Sequence, residues 1–276
     1  MTRRLIIITL MLFGTSTVTF AKNAYSVGVV PQFEPRKISH IWQPILSEAS
    51  KLSGLQLQLK ASANMQAFEK QLSDGSFDFA YMSPYHAITA RLDQGYQPLL
   101  RDTARKLYGI IVVKKDSPIQ SVQALDGQTV AFPSPSALGA TLMPKAELFR
   151  KFNITLDSLY TTSHSSVYLN VIMGTAIAGG GVQKTFDQQN KKVRDKLRTL
   201  YTTESILPHP ISVHPRVLQT DQERFKSAFL SLGLDVKKKH LLAKVPIKKI
   251  GSANINDYES VKELNLETFL DNKDSQ

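Results

Sequence analysis

A chain of 276 residues, 42% hydrophobic and 21% charged, is long enough for one large domain or two modest ones and too apolar for disorder. Its 34 Lys and Arg against 23 Asp and Glu give a formal charge of +11, which points to nucleic acid, a membrane surface or a small anion as partner. The absence of cysteine excludes disulfides, thiolate nucleophiles, Cys-ligated zinc and N-terminal lipidation.

The first residues narrow that choice. Arg3 and Arg4 precede an apolar run from Leu5 to Phe13 and a Ser/Thr-rich stretch ending Thr19-Phe20-Ala21, the pattern of a secretory signal peptide spanning 1–21. The run is far shorter than the ~20 residues of a membrane span, and a retained N-terminal anchor is the alternative reading. Export separates the protein from the genome and most RNA, and no basic-aromatic nucleic-acid motif is present. The basic excess then reads as a solvated surface or a field that draws in anions.

In chain order, Tyr25 to Val30 predicts a strand, Pro31 and Pro35 a turn, and Ile38 to Lys51 an amphipathic helix. Leu55 to Lys60 alternates as a strand, Asn64 caps a helix to Leu72, Asp74-Gly75 turns into a strand Phe77 to Tyr81, and Pro84 opens a helix towards Arg91. A second series follows: strand Gly109 to Val113, turn Leu125-Asp126-Gly127, strand Thr129 to Phe132 and a helix from near Ser136. Ser165 to Met173 reads as a helix, Ala176 to Val182 as a strand, Phe186 to Lys196 as a polar helix and Leu197 to Thr202 as a strand. The last third holds a short strand Ile211 to Val213, a helix Asp221 to Leu232, a Lys-rich stretch Val236 to Lys249 and a final helix around Asp257 to Leu270. Alternating strands and helices imply parallel α/β sheets built from βαβ units, and two such series imply two lobes with ligand at the strand ends.

Catalytic and metal signatures are missing. No HExxH or GxSxG occurs, and His40, His86, His164, His209, His214 and His240 lack metal-ligand spacing, so neither catalysis nor a cofactor is expected. Gly179-Gly180-Gly181-Val182-Gln183-Lys184-Thr185 imitates a phosphate loop, but Gln183 stands where Gly must precede Lys.

Three loops carry candidate ligand chemistry. Phe132-Pro133-Ser134-Pro135-Ser136-Ala137-Leu138-Gly139 joins a strand to a helix, where Ser136 and first-turn amides suit an oxyanion, although Ser134 or Ser136 equally suits an N-cap. Thr161-Thr162-Ser163-His164-Ser165-Ser166 offers donors, with His164 able to gain charge on an anion near its ordinary pKa of ~6.5. Tyr81-Met82-Ser83-Pro84-Tyr85 puts Ser83 at an N-cap and Tyr85 beside a cleft. If His164 touches an anion, His164→Ala is expected to weaken binding while hardly changing the melting temperature of the empty protein.

Together these segments resemble the phosphate/phosphite/phosphonate-type periplasmic substrate-binding proteins of ABC transporters, the PhnD-like family. Matching stretches run from Gly28-Val29-Val30-Pro31 and Trp42-Gln43-Pro44-Ile45-Leu46 through Gly75-Ser76-Phe77-Asp78-Phe79-Ala80 to Val112-Val113-Lys114-Lys115-Asp116-Ser117-Pro118. Leu125 to Phe132, Ser136 with Gly139, Ser163-His164 and Leu207-Pro208-His209-Pro210-Ile211 continue in the family's order. The resemblance implies a type II two-lobed α/β fold, each lobe a mixed sheet flanked by helices. Lobe 1 would hold 22–103 with 206–276, lobe 2 would hold 104–205, and the two crossovers would form a hinge.

It also implies a function: capture of a small oxyanion or organic anion between the lobes and delivery to a membrane permease, without catalysis. The alternative is a sensing module that presents its bound state to a membrane sensor kinase. The family's ligand positions fall on Ser136, Gly139, His164, Tyr108, Met65 (in place of a tyrosine) and His209 (near the family's amine-receiving residues), joined here by Ser83 and Tyr85. Ala137 and Leu138 replace hydroxyl donors of the family loop, and Ile177 replaces an acid. These changes predict a more apolar pocket and argue against 2-aminoethylphosphonate.

Overall fold

The computed structural model describes residues 24–271 except Pro246, so the expected signal peptide lies outside the described residues. The chain begins with β1 (Tyr25–Val29), α1 (Pro35–Ser53), β2 (Leu57–Lys60), α2 (Met65–Ser73), β3 (Phe79–Tyr81), α3 (Pro84–Gln94) and β4 (Gln97–Asp102). Local chemistry sets these boundaries: Asn64 and Ser83 cap α2 and α3 by accepting from the amides of Ala67 and His86, and α3 stops at Gly95 in the left-handed region, φ 75°. In α1 the buried face is Ile38, Ile41, Trp42, Ile45, Leu46 and Ala49, a 3-4 spacing that lays one stripe on the sheet.

The middle of the chain forms β5 (Gly109–Lys114), β6 (Thr129–Phe132), α4 (Met143–Phe152), β7 (Asp157–Tyr160), α5 (His164–Met173), β8 (Ala178–Val182), α6 (Gln183–Asp187), α7 (Lys191–Arg194) and β9 (Leu197–Thr202). It then returns as β10 (Ile211–Val213), α8 (Gln219–Leu234), α9 (His240–Ala243), β11 (Ile250–Ser252) and α10 (Ser260–Glu263).

Two sheets result. The first has the order β11-β4-β10-β3-β1-β2, the second β7-β6-β8-β5-β9. Neither is purely parallel, contrary to what the alternation of elements implies: β10 runs antiparallel to β3 and β4, and β5 runs antiparallel to β8 and β9. The reason is where these strands come from. In the βαβ units β1, β3, β6 and β8 end at the cleft, whereas β5 and β10 enter from the cleft after crossing between lobes and so point the other way. The crossovers lie side by side, with Leu107 and Ile206 exchanging both backbone hydrogen bonds at 2.8 Å.

Each sheet has its own core. In the first lobe Phe79 stacks on Phe225 with centroids 3.8 Å apart, tying the central strand to α8, while Ile45 of α1 is fully buried. Burying a side chain of that size contributes about 1.5–3 kcal/mol. In the second, β5 is buried on both faces: Ile111 and Val113 pack with Val130 and Phe132, and Ile110 and Val112 pack with Tyr168 and Val171 of α5.

Four local expectations need correction. The helix near Ser136 starts later, with a wide π turn at Leu138–Leu142 leading into α4. The polar helix 186–196 is two short pieces, α6 and α7. The final helix is broken into turns because Asn265 adopts φ 42°, which no helix continues through. Strands β4, β7 and β11 were not expected at all; they are edge or near-edge strands of three to six residues with little alternation.

After α10 the chain leaves the first lobe. Leu266 packs with Leu107, Leu138, Leu142 and Met143, Arg150 donates to the carbonyls of Leu264 and Asn265, and Lys145 pairs with Asp271 at 2.6 Å. The segment 264–271 is thus a strap lying on the second lobe.

Candidate ligand-binding cleft

The ends of β1, β3, β6 and β8 converge on a cleft between the sheets, and loops from both lobes meet there. Val30 and Gln32 follow β1, Ser83 and His86 follow β3, and Ala137 to Ala140 follow β6. With Met65, His164, Val182 and His209 they enclose about 20 Å³ of free volume, room for about one water, so the lobes are closed on the site.

Of the eight residues expected at the site, Met65, Ser83, Gly139, His164 and His209 line this cavity. Ser136 and Tyr85 stand one layer away, on a side cavity of about 620 Å³ between α2, α3 and Pro135. Tyr108 lines a different recess of about 290 Å³ with Arg105, Lys106 and Gln183. Ile177 lies outside these cavities, packing half-buried against the core of Ile111 and Phe132, so its replacement of an acid does not make the cavity more apolar. Leu138 and Ala137 do line it.

His86 was not singled out from sequence, yet it sits 2% exposed in the cavity wall with His164 and His209, so three of six scattered histidines meet at one point. Burial of a histidine on an otherwise apolar face of α3 was the available signal. Among the described residues no group of His, Asp and Glu is arranged to hold a metal ion.

Hydrogen bonds fix the protonation of these rings. Thr185 Oγ1 donates its one proton to the Val182 carbonyl at 2.8 Å, so in its 3.1 Å bond with His164 the ring Nδ1 is the donor. Burial pulls His164 down to about 4, leaving it neutral with Nε2 a bare acceptor. The expected titration near the ordinary histidine value is therefore displaced to lower pH in the empty protein. His209 is lowered well below its ordinary value, first by burial and then by Lys184 and the neighbouring histidines. Its ring stacks on Tyr81 with centroids 5.3 Å apart, and its Nε2 lies 3.3 Å from the Gln32 amide. With Nε2 accepting from Gln32, the proton of the neutral ring sits on Nδ1, which is buried without a hydrogen-bond partner.

Lys184 follows β8 and reaches across to the Tyr81 hydroxyl at 3.4 Å; burial lowers its ammonium to about 8, offset in part by Asp102. The glycines before it serve packing: a Cβ on Gly180 would stand 2.0 Å from the Ala140 carbonyl and one on Gly181 2.2 Å from the Tyr168 hydroxyl. The phosphate-loop likeness thus has a steric cause.

Two carboxylates from the first lobe meet serines of the second. Glu34 accepts from Ser163 Oγ at 3.1 Å, and Glu69 accepts a short hydrogen bond from Ser136 Oγ while lying 3.1 Å from His86 Nε2. Ser136 is therefore not an N-cap. Ser163 is one, accepting from the Ser166 amide at 3.2 Å.

A two-lobed molecule with mixed sheets whose strand ends and crossovers frame one cleft has the type II periplasmic binding-protein fold. The chain belongs to the family described as ABC transporter, phosphonate, periplasmic substrate-binding protein, which it matches over residues 27–258. Similar structures include a binding-protein component of an ABC phosphonate transporter from Pseudomonas aeruginosa, with TM-score 0.81 and 15% identity, covering 89% of this chain and 87% of that one. PhnD1 from Prochlorococcus marinus in complex with methylphosphonate has TM-score 0.79 and 16% identity over 89% and 98%. A Xanthomonas citri protein bound to ATP has TM-score 0.70 and 17% identity over 90% and 98%. No curated protein sequence matches. The protein is thus a substrate-binding component of the ABC-importer type, and its family is periplasmic.

Proposed function

We propose that the protein, exported by cleavage after about Ala21, captures a small oxyanion or organic anion between its lobes and passes it to a membrane permease. The reading rests on one observation: His209, whose Nδ1–H is buried without a partner, lines the inter-lobe cavity, and Lys184 lines an adjoining recess that shares Val30 and Gln32 with it. A buried donor left unpaired costs about 1–3 kcal/mol, and an anion would satisfy it. The low pKa values of His164 and Lys184 have the same sense, since a negative ligand restores the charged forms that burial disfavours. Met65, Ser83, Gly139, His164 and His209 would contact the ligand, while Ser136 and Tyr85 would border any substituent extending into the side cavity. Nothing in this scheme requires turnover.

The test is calorimetric titration of the mature chain from Lys22 with phosphate, phosphite, methylphosphonate, sulfate, methanesulfonate and small carboxylates. Saturable binding of at least one is expected, weakened about tenfold or more by Lys184→Met. No binding by any of them would refute anion capture.

A further inference from the structure

The end of α8 carries apolar side chains that the fold leaves in water. Leu234 and Val236 are 82% and 78% exposed, the two barest large apolar side chains among the described residues. Directly after them, in the connection from α8 to β11, six lysines and no acid stand between Lys237 and Lys249. Of these Lys238 pairs with Glu48 at 2.8 Å, while Lys237, Lys239, Lys244, Lys248 and Lys249 are exposed and make no ion pair among the described residues. We propose that this tip, Leu234 to Lys239, docks on an anionic phospholipid bilayer, the two aliphatic side chains entering the headgroup region and the lysines pairing with lipid phosphates.

The tip is fixed by its surroundings. Gly233 lies so close to β11 that a Cβ would stand 2.3 Å from Ile250 Cγ2, and Leu232, Leu241 and Leu242 on either side of the tip are buried. The Asp235 carboxylate accepts from the amides of Lys237 and Lys238 at 2.8 and 3.2 Å, and its carbonyl accepts from those of Lys238 and Lys239. The acid of the turn is thereby engaged by backbone, and Leu234 and Val236 are held outward beside unpaired positive charge. Aliphatic groups gain by leaving water, and lysines next to them gain from a negatively charged surface. An acidic protein would answer the charge alone, whereas side chains this bare stand clear of their neighbours and suit a deformable surface that is apolar just beneath its charge. No helix among the described residues is long and apolar enough to cross a membrane, so the contact is peripheral. The same connection reaches the rim of the cleft, where the Lys244 carbonyl accepts from Gln188 of the other lobe at 2.7 Å. Docking by this edge therefore brings the rim of the cleft to the bilayer.

The test is co-sedimentation of the mature chain with vesicles of mixed phosphatidylglycerol and phosphatidylcholine, against vesicles of phosphatidylcholine alone. Binding to the anionic vesicles is expected to be at least about tenfold tighter than to the neutral ones and to weaken with added salt. Leu234→Ser combined with Val236→Ser, which keeps every charge, and Lys237→Gln combined with Lys239→Gln are each expected to weaken it about tenfold. Lys114→Gln with Lys115→Gln removes the same charge from the other lobe and is expected to change it by less than about twofold. In Leu234→Trp, brominated lipid should quench the added indole, since Trp42 is buried. No binding to anionic vesicles, binding unchanged by loss of the aliphatic pair, or an equal loss in the Lys114 and Lys115 variant would overturn the tip. A concentration-dependent dimer in sedimentation velocity that Leu234→Ser abolishes would overturn it too, because the occupant would then be a second copy of the chain. None of these outcomes touches anion capture, which is read by ligand titration.

Discussion

His164 joins a candidate ligand contact to a structural hydrogen bond. Because its ring is 3% exposed and bonded to Thr185, His164→Ala removes a buried bond as well as a ligand contact. The expectation that the empty protein would keep its melting temperature is therefore replaced: the variant should lose about 1–3 kcal/mol of stability, measured by urea unfolding. Its titration has a definite sign. The folded ring is lowered from 6.5 to about 4, so the unfolded chain binds more protons across that window, and stability present above 6.5 is lost as pH falls towards 4. His209, also lowered by burial first and then by Lys184, acts in the same direction. The empty protein should melt at progressively lower temperature as pH falls through this range, and His164→Gln should flatten the slope. A pH-independent melting temperature would contradict the buried neutral ring.

At the scale of elements, the expected anion loop is positioned by glycines on its neighbouring strands. A Cβ on Gly109 of β5 would lie 2.0 Å from the Gly139 carbonyl, and one on Gly180 of β8 equally close to that of Ala140. These contacts let the π turn Leu138–Leu142 sit directly on the sheet, which puts Gly139 and Ala140 at the cleft. Since backbone cannot yield as a flexible side chain can, Gly180→Ala should be strongly destabilising, by about 3 kcal/mol or more. Gly127→Ala lacks a steric neighbour and bears only the strain of φ 65°, so it should cost no more than about 1–2 kcal/mol. Equal chemical unfolding midpoints for the two variants would refute the close-packing argument.

Across the whole molecule, three stretches of chain join the lobes: the paired crossovers at Leu107 and Ile206, and the strap 264–271. Glu34 to Ser163, Glu69 to Ser136 and Gln188 to the Lys244 carbonyl add hydrogen bonds across the cleft. A ligand shifts an opening equilibrium only by binding one state more tightly, so these contacts set how far closure is favoured without ligand. Replacing Leu266 by Asp should release the strap from Leu138, Leu142 and Met143 and raise the radius of gyration of the empty protein in small-angle scattering, with saturating ligand reversing the change. An unchanged radius would mean that the strap does not restrain opening.

How much of this was legible beforehand differs by level. Periodicity, N-caps and turns located the longer elements, because Asn64, Ser83 and the Ile38 to Ala49 stripe act within a few residues of themselves. Motif order gave the family and with it the two lobes. Strand direction at β5 and β10 depended on the chain crossing between lobes, and the short strands β4, β7 and β11 depended on partners far away in sequence. The convergence of His86, His164 and His209, the placing of Glu69 against Ser136, and the departure of Tyr108 and Ile177 from the cavity were decided by tertiary structure alone. Local sequence specifies backbone conformation and which face is apolar, but burial, proton placement and charge pairing in the cleft arise only when residues from different lobes are brought within hydrogen-bond distance.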